Sequence, residues 1–330
     1  MGLILLSLAA WANRAKPPAA VCVAWDEAGP LTDAEIDVDE SSGVAASTVE
    51  EGLYYTLNDA GGDRNLYLFD ELGATRALQL VVGATNTDWE DLASGPCPGG
   101  GDCLYIADIG DNDDSRGFIT IWIVPESAET IVDAVGCDLV YEDGPRDAEA
   151  LLVDPSSGVV RIATKEDDGE VKIYKVDALS CGDEPDVLVR EAEITLDGAV
   201  TGGVMTQNTV VLRTLSTAWV WQACDVATIW PMTPVALDLG EDPQGEAIGV
   251  RSDGGFITTS ESSPFRFRIV PCAETGQVEC PKCGCSSAGT GTGTGLVMLL
   301  WAWACGRRHP IRQPPTPPWS RRCTSGGSGM

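Results

Sequence analysis

The sequence predicts an all-β fold: a β-propeller of five blades, with six as the alternative, closed by an N-terminal strand. Three observations carry this. A short anchor segment recurs five times, β-branched and aromatic runs alternate with Gly- and Asp-rich turns, and the last module lacks its fourth strand. The 330 residues suffice for a core of that size, and 37 Gly with 20 Pro favour turns over long helices.

The anchors are SGVAAS (42–47), EDLASG (90–95), EALLVD (149–154), GGVMTQ (202–207) and EAIGVR (246–251). Their steps of 48, 59, 53 and 44 residues suit one four-stranded blade each. The first module continues with GLYYTLND, NLYLFDE and ATRALQLVV, the second with CLYIADI, FITIWIV and CDLVYED. The third has VVRIATK, EVKIYKV and DVLVREAEITL, the fourth TVVLRTL, AWVWQA and PVALDLG. The last offers only EAIGV, GGFITTS and FRFRIV, whereas DAEIDVD (33–39) stands unpaired ahead of the first anchor. That segment is expected to pair with 265–270, closing the ring and protecting both terminal edges. A β-sandwich or barrel accounts for the alternation, but not for the recurring anchor or the orphan strand.

Fifty Asp and Glu against 21 Lys and Arg give a net charge of −29. Such a field disfavours nucleic acid and anionic lipid as partners and suits cations or solubility outside the cell. Twelve Cys point to an oxidising compartment. Cys97 and Cys103 flank PGGGD and are expected to close that loop, while Cys137, Cys181, Cys224 and Cys272 sit near strand ends. Cys272 is expected to pair with Cys280; a four-cysteine zinc site drawing on C-P-K-C-G-C fits an exported chain poorly.

Residues 1–20 read as a signal segment and linker, because LILLSLAAWA ends in an A-x-A pattern and NRAKPP follows. A buried strand is the other reading. The propeller is expected over 21–271, a Cys-rich linker over 272–288, an apolar membrane segment over 289–305 and a basic Pro/Ser/Gly tail over 306–330. With the Gly/Thr repeat counted, the apolar run makes a marginal span of about seventeen residues. The arginines after it belong on the cytoplasmic side.

LYYTLNDAGGDRNLYLFD, NTDWEDLASGP, LYIADIGDN and IWIVPE, with DAEALLVDPSSG and GEAIGVRSDGG, resemble a group of exported bacterial β-propellers over most of 33–271. More weakly they resemble esterase-like phytases and gluconolactonase-like propellers. The resemblance implies fold and hardly function. CGCSS (283–287), the Gly/Thr spacer, LVMLLWAWAC and GRR (306–308) resemble the MYXO-CTERM sorting tag of myxobacteria. This implies anchoring at the cell surface or outer membrane through Cys283, Cys285 and the membrane segment, with an envelope protease as processing partner. The chain departs from that class in its short apolar run and in the residues that follow the basic cluster.

The only His is His309, in the tail, so a Ser-His-Asp triad, a His-ligated zinc and a His base are absent from the body. No G-x-S-x-G, P-loop or H-E-x-x-H occurs. Catalysis would fall to carboxylates, Lys, Tyr or a metal. Glu90, Glu149 and Glu246 hold equivalent places in three anchors, on strands expected to line the channel. Converging carboxylates need a cation or raised pKa values, and oxygen-rich clusters favour calcium. The alternative is that each accepts backbone amides at a blade turn. Asp108, Asp111 and Asp113 are further candidate calcium ligands, although Arg116 at the sixth loop position breaks the EF-hand pattern and a solvated loop explains them too. DAGGD (59–63) reads as a turn, and Trp89, Trp122, Trp219 and Trp221 as inter-blade core.

The expected function is a surface-anchored propeller that presents loops to a ligand or protein, with no catalytic machinery evident. A calcium-dependent hydrolase of phosphate esters or lactones is the alternative. Against it stand the −29 charge and the lack of a Lys/Arg cluster to clamp a phosphate.

Overall fold

The computed structural model describes residues 21–36 and 38–278. The segment at 1–20, Cys283 and Cys285, the apolar run and the tail lie outside the described residues. Short β-branched runs cut by glycine turns build strands, and the one helical element described is a single 3-10 turn, Val226–Thr228.

After β1 (Val21–Trp25) and β2 (Thr32–Asp33), the first antiparallel unit comprises β3 (Ser41–Ala46), β4 (Leu53–Asn58), β5 (Asn65–Asp70) and β6 (Thr75–Val82). The second comprises β7 (Trp89–Pro96), β8 (Asp102–Asp108), β9 (Ile119–Pro125) and β11 (Val135–Tyr141); the short β10 (Ile131–Asp133) lies parallel to β6. The third is β12 (Ala148–Val153), β13 (Val160–Thr164), β14 (Glu170–Val176) and β15 (Asp186–Thr195), and β15 runs briefly parallel to β11. The fourth is β16 (Gly202–Met205), β17 (Thr209–Arg213), β18 (Thr217–Gln222) and β19 (Val235–Asp238). In the fifth, β20 (Gly245–Val250), β21 (Phe256–Ser260) and β22 (Arg266–Val270) are completed by β2, through Thr32 opposite Phe267 and Asp33 opposite Arg266.

An N-terminal strand therefore does close the last unit, but it is shorter than 33–39 and starts upstream of it. Past Ala34, whose amide donates to the Phe265 carbonyl at 2.9 Å, Glu35 bonds to Gly73 instead. Ile36 and Val38 then bury in one cluster with Phe265 and Phe267. Apolar burial, not ladder length, fixes this segment.

Apolar side chains fill every gap between neighbouring units. Tyr55 and Trp89 meet between the first and second, Tyr105 and Leu151 between the second and third, and Leu152 and Trp221 between the third and fourth. Val211 and Ile248 meet between the fourth and fifth, and Phe69 and Phe267 between the fifth and first. The innermost strands β3, β7, β12, β16 and β20 touch in a closed cycle. The fold is a β-propeller.

Cys97 is bonded to Cys103, and Cys137 to Cys181. Cys272 is not paired with Cys280: it is bonded to Cys22, with Cα atoms 5.7 Å apart. The reason is a sixth sheet outside the ring. β23 (Cys272–Gly276), in the stretch expected to be a linker, pairs antiparallel with β1, and Trp25 stacks on Phe256 at 5.4 Å.

Candidate functional site

Four of the five inner strands begin irregularly, β16 being the exception. Their pairing with the second strand of the blade shifts register between Ser41 and Val44, Trp89 and Asp91, Ala148 and Ala150, and Gly245 and Ile248. A bulge re-aims the side chain of its extra residue, and Glu90, Glu149 and Glu246 fall inside three of these shifts. Glu90 and Glu149 are 5% and 4% exposed; Glu246 is partly buried. The segments that leave the second strands face them. Asp59 follows β4, Lys165 follows β13 and Glu261 follows β21. Lys165 forms an ion pair with Glu149, and its amide donates to the Asp147 carbonyl at 3.1 Å.

The acids at this mouth raise one another's pKa. Burial pushes Glu149 up to about 7 against the pull of Lys165. Burial, then Glu149 and Glu261, pushes Glu246 up to about 9. Glu90 is held well above the usual carboxylate range by burial, then by Glu149 and Asp59. Burial is also the main cause that brings Asp59 and Asp88 to about 6. Burial pulls the Lys165 ammonium down, yet Glu149, Glu246 and Glu90 hold it above its ordinary value.

Asp59, Asp88 and Glu90 bring one oxygen each within 4.8 Å of the others, the spacing a cation site needs. The Asp59 Oδ1 atom is buried without a hydrogen-bond partner. A Cβ on Gly110 would collide with Glu90 Oε1 and Asp88 Oδ2, so only glycine leaves that space open. Both observations fit a bound cation.

Of the expected calcium ligands, Glu90 belongs to this group, while Glu149 and Glu246 lie near it but outside. Asp108, Asp111 and Asp113 do not join it. Asp108 binds Arg116 at 2.9 Å, Asp111 accepts the amides of Ser115 and Arg116 at 2.9 and 2.8 Å, and Asp113 is exposed. The loop's own donors take up Asp108 and Asp111.

The turn-capping role weighed for the glutamates falls to their neighbour. Asp91, 0% exposed, accepts the amides of Leu92, Leu151 and Gly203, in three successive blades, at 2.8, 2.8 and 3.2 Å. Arg213, also 0% exposed, donates to the Ala247 and Thr259 carbonyls at 2.7 Å each and to Asp242 at 3.1 Å. These two side chains tie neighbouring blades together near the ring centre.

Sequence reasoning missed Asp59, Lys165 and Asp91. A signal exists for the first two: each directly follows the second strand of its blade, the place that holds Glu261 in the fifth.

No family model and no curated protein matches the chain. Solved structures do. A PQQ-bound aldose sugar dehydrogenase from Streptomyces coelicolor is 10% identical, with a TM-score of 0.46 over 77% of this chain and 98% of that one. A putative oxidoreductase (glucose dehydrogenase) from Thermus thermophilus is 8% identical, TM-score 0.43, over 73% and 99%. A further glucose dehydrogenase is 9% identical, TM-score 0.44, over 74% and 100%. All three are described as dehydrogenases or oxidoreductases, none as a binding scaffold or a hydrolase. The expected loop-presenting propeller without catalytic machinery is thereby corrected. What the chain does must be argued from its own mouth residues.

Proposed function

We propose that the protein is an enzyme of the cell surface in which Glu149 and Glu246 carry acid–base chemistry on a neutral small molecule, with Lys165 as the fixed positive charge that holds Glu149. Asp59, Asp88 and Glu90 hold a divalent cation beside them, calcium by the oxygen-only donor set. One observation carries the reading: two carboxyls at the ring axis have unlike environments. Glu149, clasped by Lys165, ionises near pH 7, while Glu246 keeps its proton to about 9. One takes a proton where the other gives one. A neutral substrate is favoured because the acids of the mouth outnumber Lys165, and an anion would be repelled.

Export belongs to the same proposal. The disulfides Cys22–Cys272, Cys97–Cys103 and Cys137–Cys181 support an oxidising compartment. Retention would run through Cys283, Cys285 and the apolar run, with an envelope protease as processing partner and the membrane as anchor.

The test is turnover. Neutral sugars, polyols and ketones would be followed by NMR in D2O for isomerisation or solvent exchange of carbon-bound hydrogen. Activity is expected to rise as the Glu149 base ionises and fall as Glu246 loses its proton, through about 7 and about 9 in the absence of the cation and at lower pH once it is bound. Glu149→Gln should cost about a hundredfold or more. No turnover across the panel, or full activity in Glu149→Gln, would sink the reading.

The cation has its own test. Binding to the folded ring at a hundredfold excess over Kd adds roughly 2.7 kcal/mol, so melting in calcium should exceed melting in EDTA by several degrees. Asp59→Asn should shrink that difference, and magnesium should do less than calcium. Identical curves in EDTA and calcium would remove the cation.

A further inference from the structure

Asp108 ends β8 with 1% of its surface exposed, and four donors converge on its carboxylate. The amides of Thr87 and Asp88 reach it at 3.4 and 3.1 Å, the Trp122 indole at 3.4 Å and the Arg116 guanidinium at 2.9 Å. Arg116 also donates to the Gly110 carbonyl at 2.7 Å, and the Gly110 amide donates to the Asp88 carbonyl at 3.3 Å. Asp88 is thus held at both its amide and its carbonyl. Gly110 touches the acids as well, since the place of its missing Cβ lies against Glu90 Oε1 and Asp88 Oδ2. The far side of the loop is tied to the third blade: the Asp111 amide donates to Asp147 at 2.8 Å, and the Asp147 amide to Asp114 at 3.0 Å.

Such a frame has work to do here. Asp59, Asp88 and Glu90 bring their oxygens together, and without an ion like charges push them apart. A ligand set that had to be gathered when the ion arrived would lose affinity to the ordering of its side chains. Groups that orient metal ligands from behind typically carry a ten- to hundredfold share of metal affinity. Asp108 and Arg116 stand in that relation to Asp88, one through its amide and the other through Gly110.

We propose that Arg116 and Asp108 are positioning residues for the cation, holding the Asp88 carboxylate beside Asp59 and Glu90 by way of Gly110 and the Asp88 backbone. The inference rests on the cation of the proposed function. It gives a use to the acidic loop, whose aspartates do not ligate the ion: they build the support on which a ligand stands. It also makes a cation, Arg116, an aid to binding another cation, and that sign is what the experiment reads.

Terbium stands in for calcium, its luminescence excited through Trp89, which lies between Asp88 and Glu90 in the chain; competition by calcium then gives the calcium affinity. Each protein is titrated well below its own melting temperature, so that a loss of stability alone moves nothing. Arg116→Gln removes a positive charge from beside an acidic site, and by charge alone it would tighten binding. Lost positioning should instead weaken it, by about tenfold or more. Asp108→Asn, which gives up the Arg116 partner and one acceptor oxygen, should weaken it to a similar degree. Asp113→Asn removes one charge from an exposed place in the same loop and should stay within about twofold of the wild type. Unchanged or tighter binding in Arg116→Gln would overturn the inference and leave the cation in place. If that variant does not fold, Asp108→Asn decides: wild-type affinity, or a loss no larger than that of Asp113→Asn, overturns the inference. A wild type that takes up neither terbium nor calcium would remove the cation itself, and this inference with it.

Discussion

Replacing Cys22 and Cys272 by Ser is expected to destabilise the propeller more than removal of any other disulfide described, by roughly 5 kcal/mol in the chain-entropy model. The cause lies in the unfolded chain. The bond joins residues 250 positions apart, against 44 for Cys137–Cys181 and 6 for Cys97–Cys103. The same model gives about 4 and about 2 kcal/mol for those two. The native ring also leans on this bond more than a propeller with a long closing strand would, because β2 offers only Thr32 and Asp33 to β22. The ends are also held by the β1–β23 ribbon, the stack of Trp25 on Phe256, Gln222, which donates to the Cys22 carbonyl at 2.6 Å, the amides of Asp26, Gly29 and Ala34 on the carbonyls of Pro271, Ile269 and Phe265, and the Arg266–Asp33 ion pair. Thermal melting of the three double Cys→Ser variants should rank them in that order, with a fall of about 10 °C or more for Cys22/Cys272. A fall of a degree or two for that variant would show that apolar packing between the fifth and first blades closes the ring unaided.

The ring was legible in the sequence because each blade repeats one chemical pattern, and the five anchors mark where inner strands begin. Glu90, Glu149 and Glu246 were legible for the same reason. Asp91 was not. It sits one place past Glu90, where the other blades carry Gly43, Ala150, Gly203 and Ala247, and periodicity cannot tell an acid aimed at the mouth from one that accepts three backbone amides. Asp59 was hidden in DAGGD, whose glycines and acids also spell a surface turn. Lys165 was hidden by its ordinary setting at a strand end. The Cys22–Cys272 bond escaped because proximity along the chain favours Cys280, and only the ribbon outside the ring brings Cys22 near. The acidic loop left two readings open, a calcium site and a solvated loop. Its spacing suits calcium, yet the Ser115 and Arg116 amides already occupy Asp111, and the Arg116 guanidinium occupies Asp108.

Glu246→Gln is expected to stabilise the protein at alkaline pH, by roughly 3 kcal/mol at pH 9 in EDTA. Burial, then the Glu149 and Glu261 carboxylates, raises the folded-state pKa of Glu246 from 4.5 to about 9, with Lys165 and Arg213 pulling the other way. A raised carboxyl means that the folded chain holds its proton more tightly than the unfolded chain. Its contribution to stability is therefore full below about 4.5 and drains away as pH rises through 9. Glutamine keeps the shape and cannot ionise, so the variant should be spared that loss. The full shift would give more than 3 kcal/mol; water entering the mouth as Glu246 ionises relieves part of the cost. Repulsion spread over a chain of net charge −29 also lowers stability with rising pH, but it acts on both proteins alike and leaves the difference to Glu246. Melting curves from pH 5 to 9 should thus coincide at the acid end and separate by about 6 to 12 °C at the alkaline end. Calcium should narrow the gap if the cation at Asp59, Asp88 and Glu90 lowers the field at the axis. Parallel curves for the two proteins would mean that Glu246 ionises in the folded ring as freely as in water, which would leave Glu149 without its acid partner.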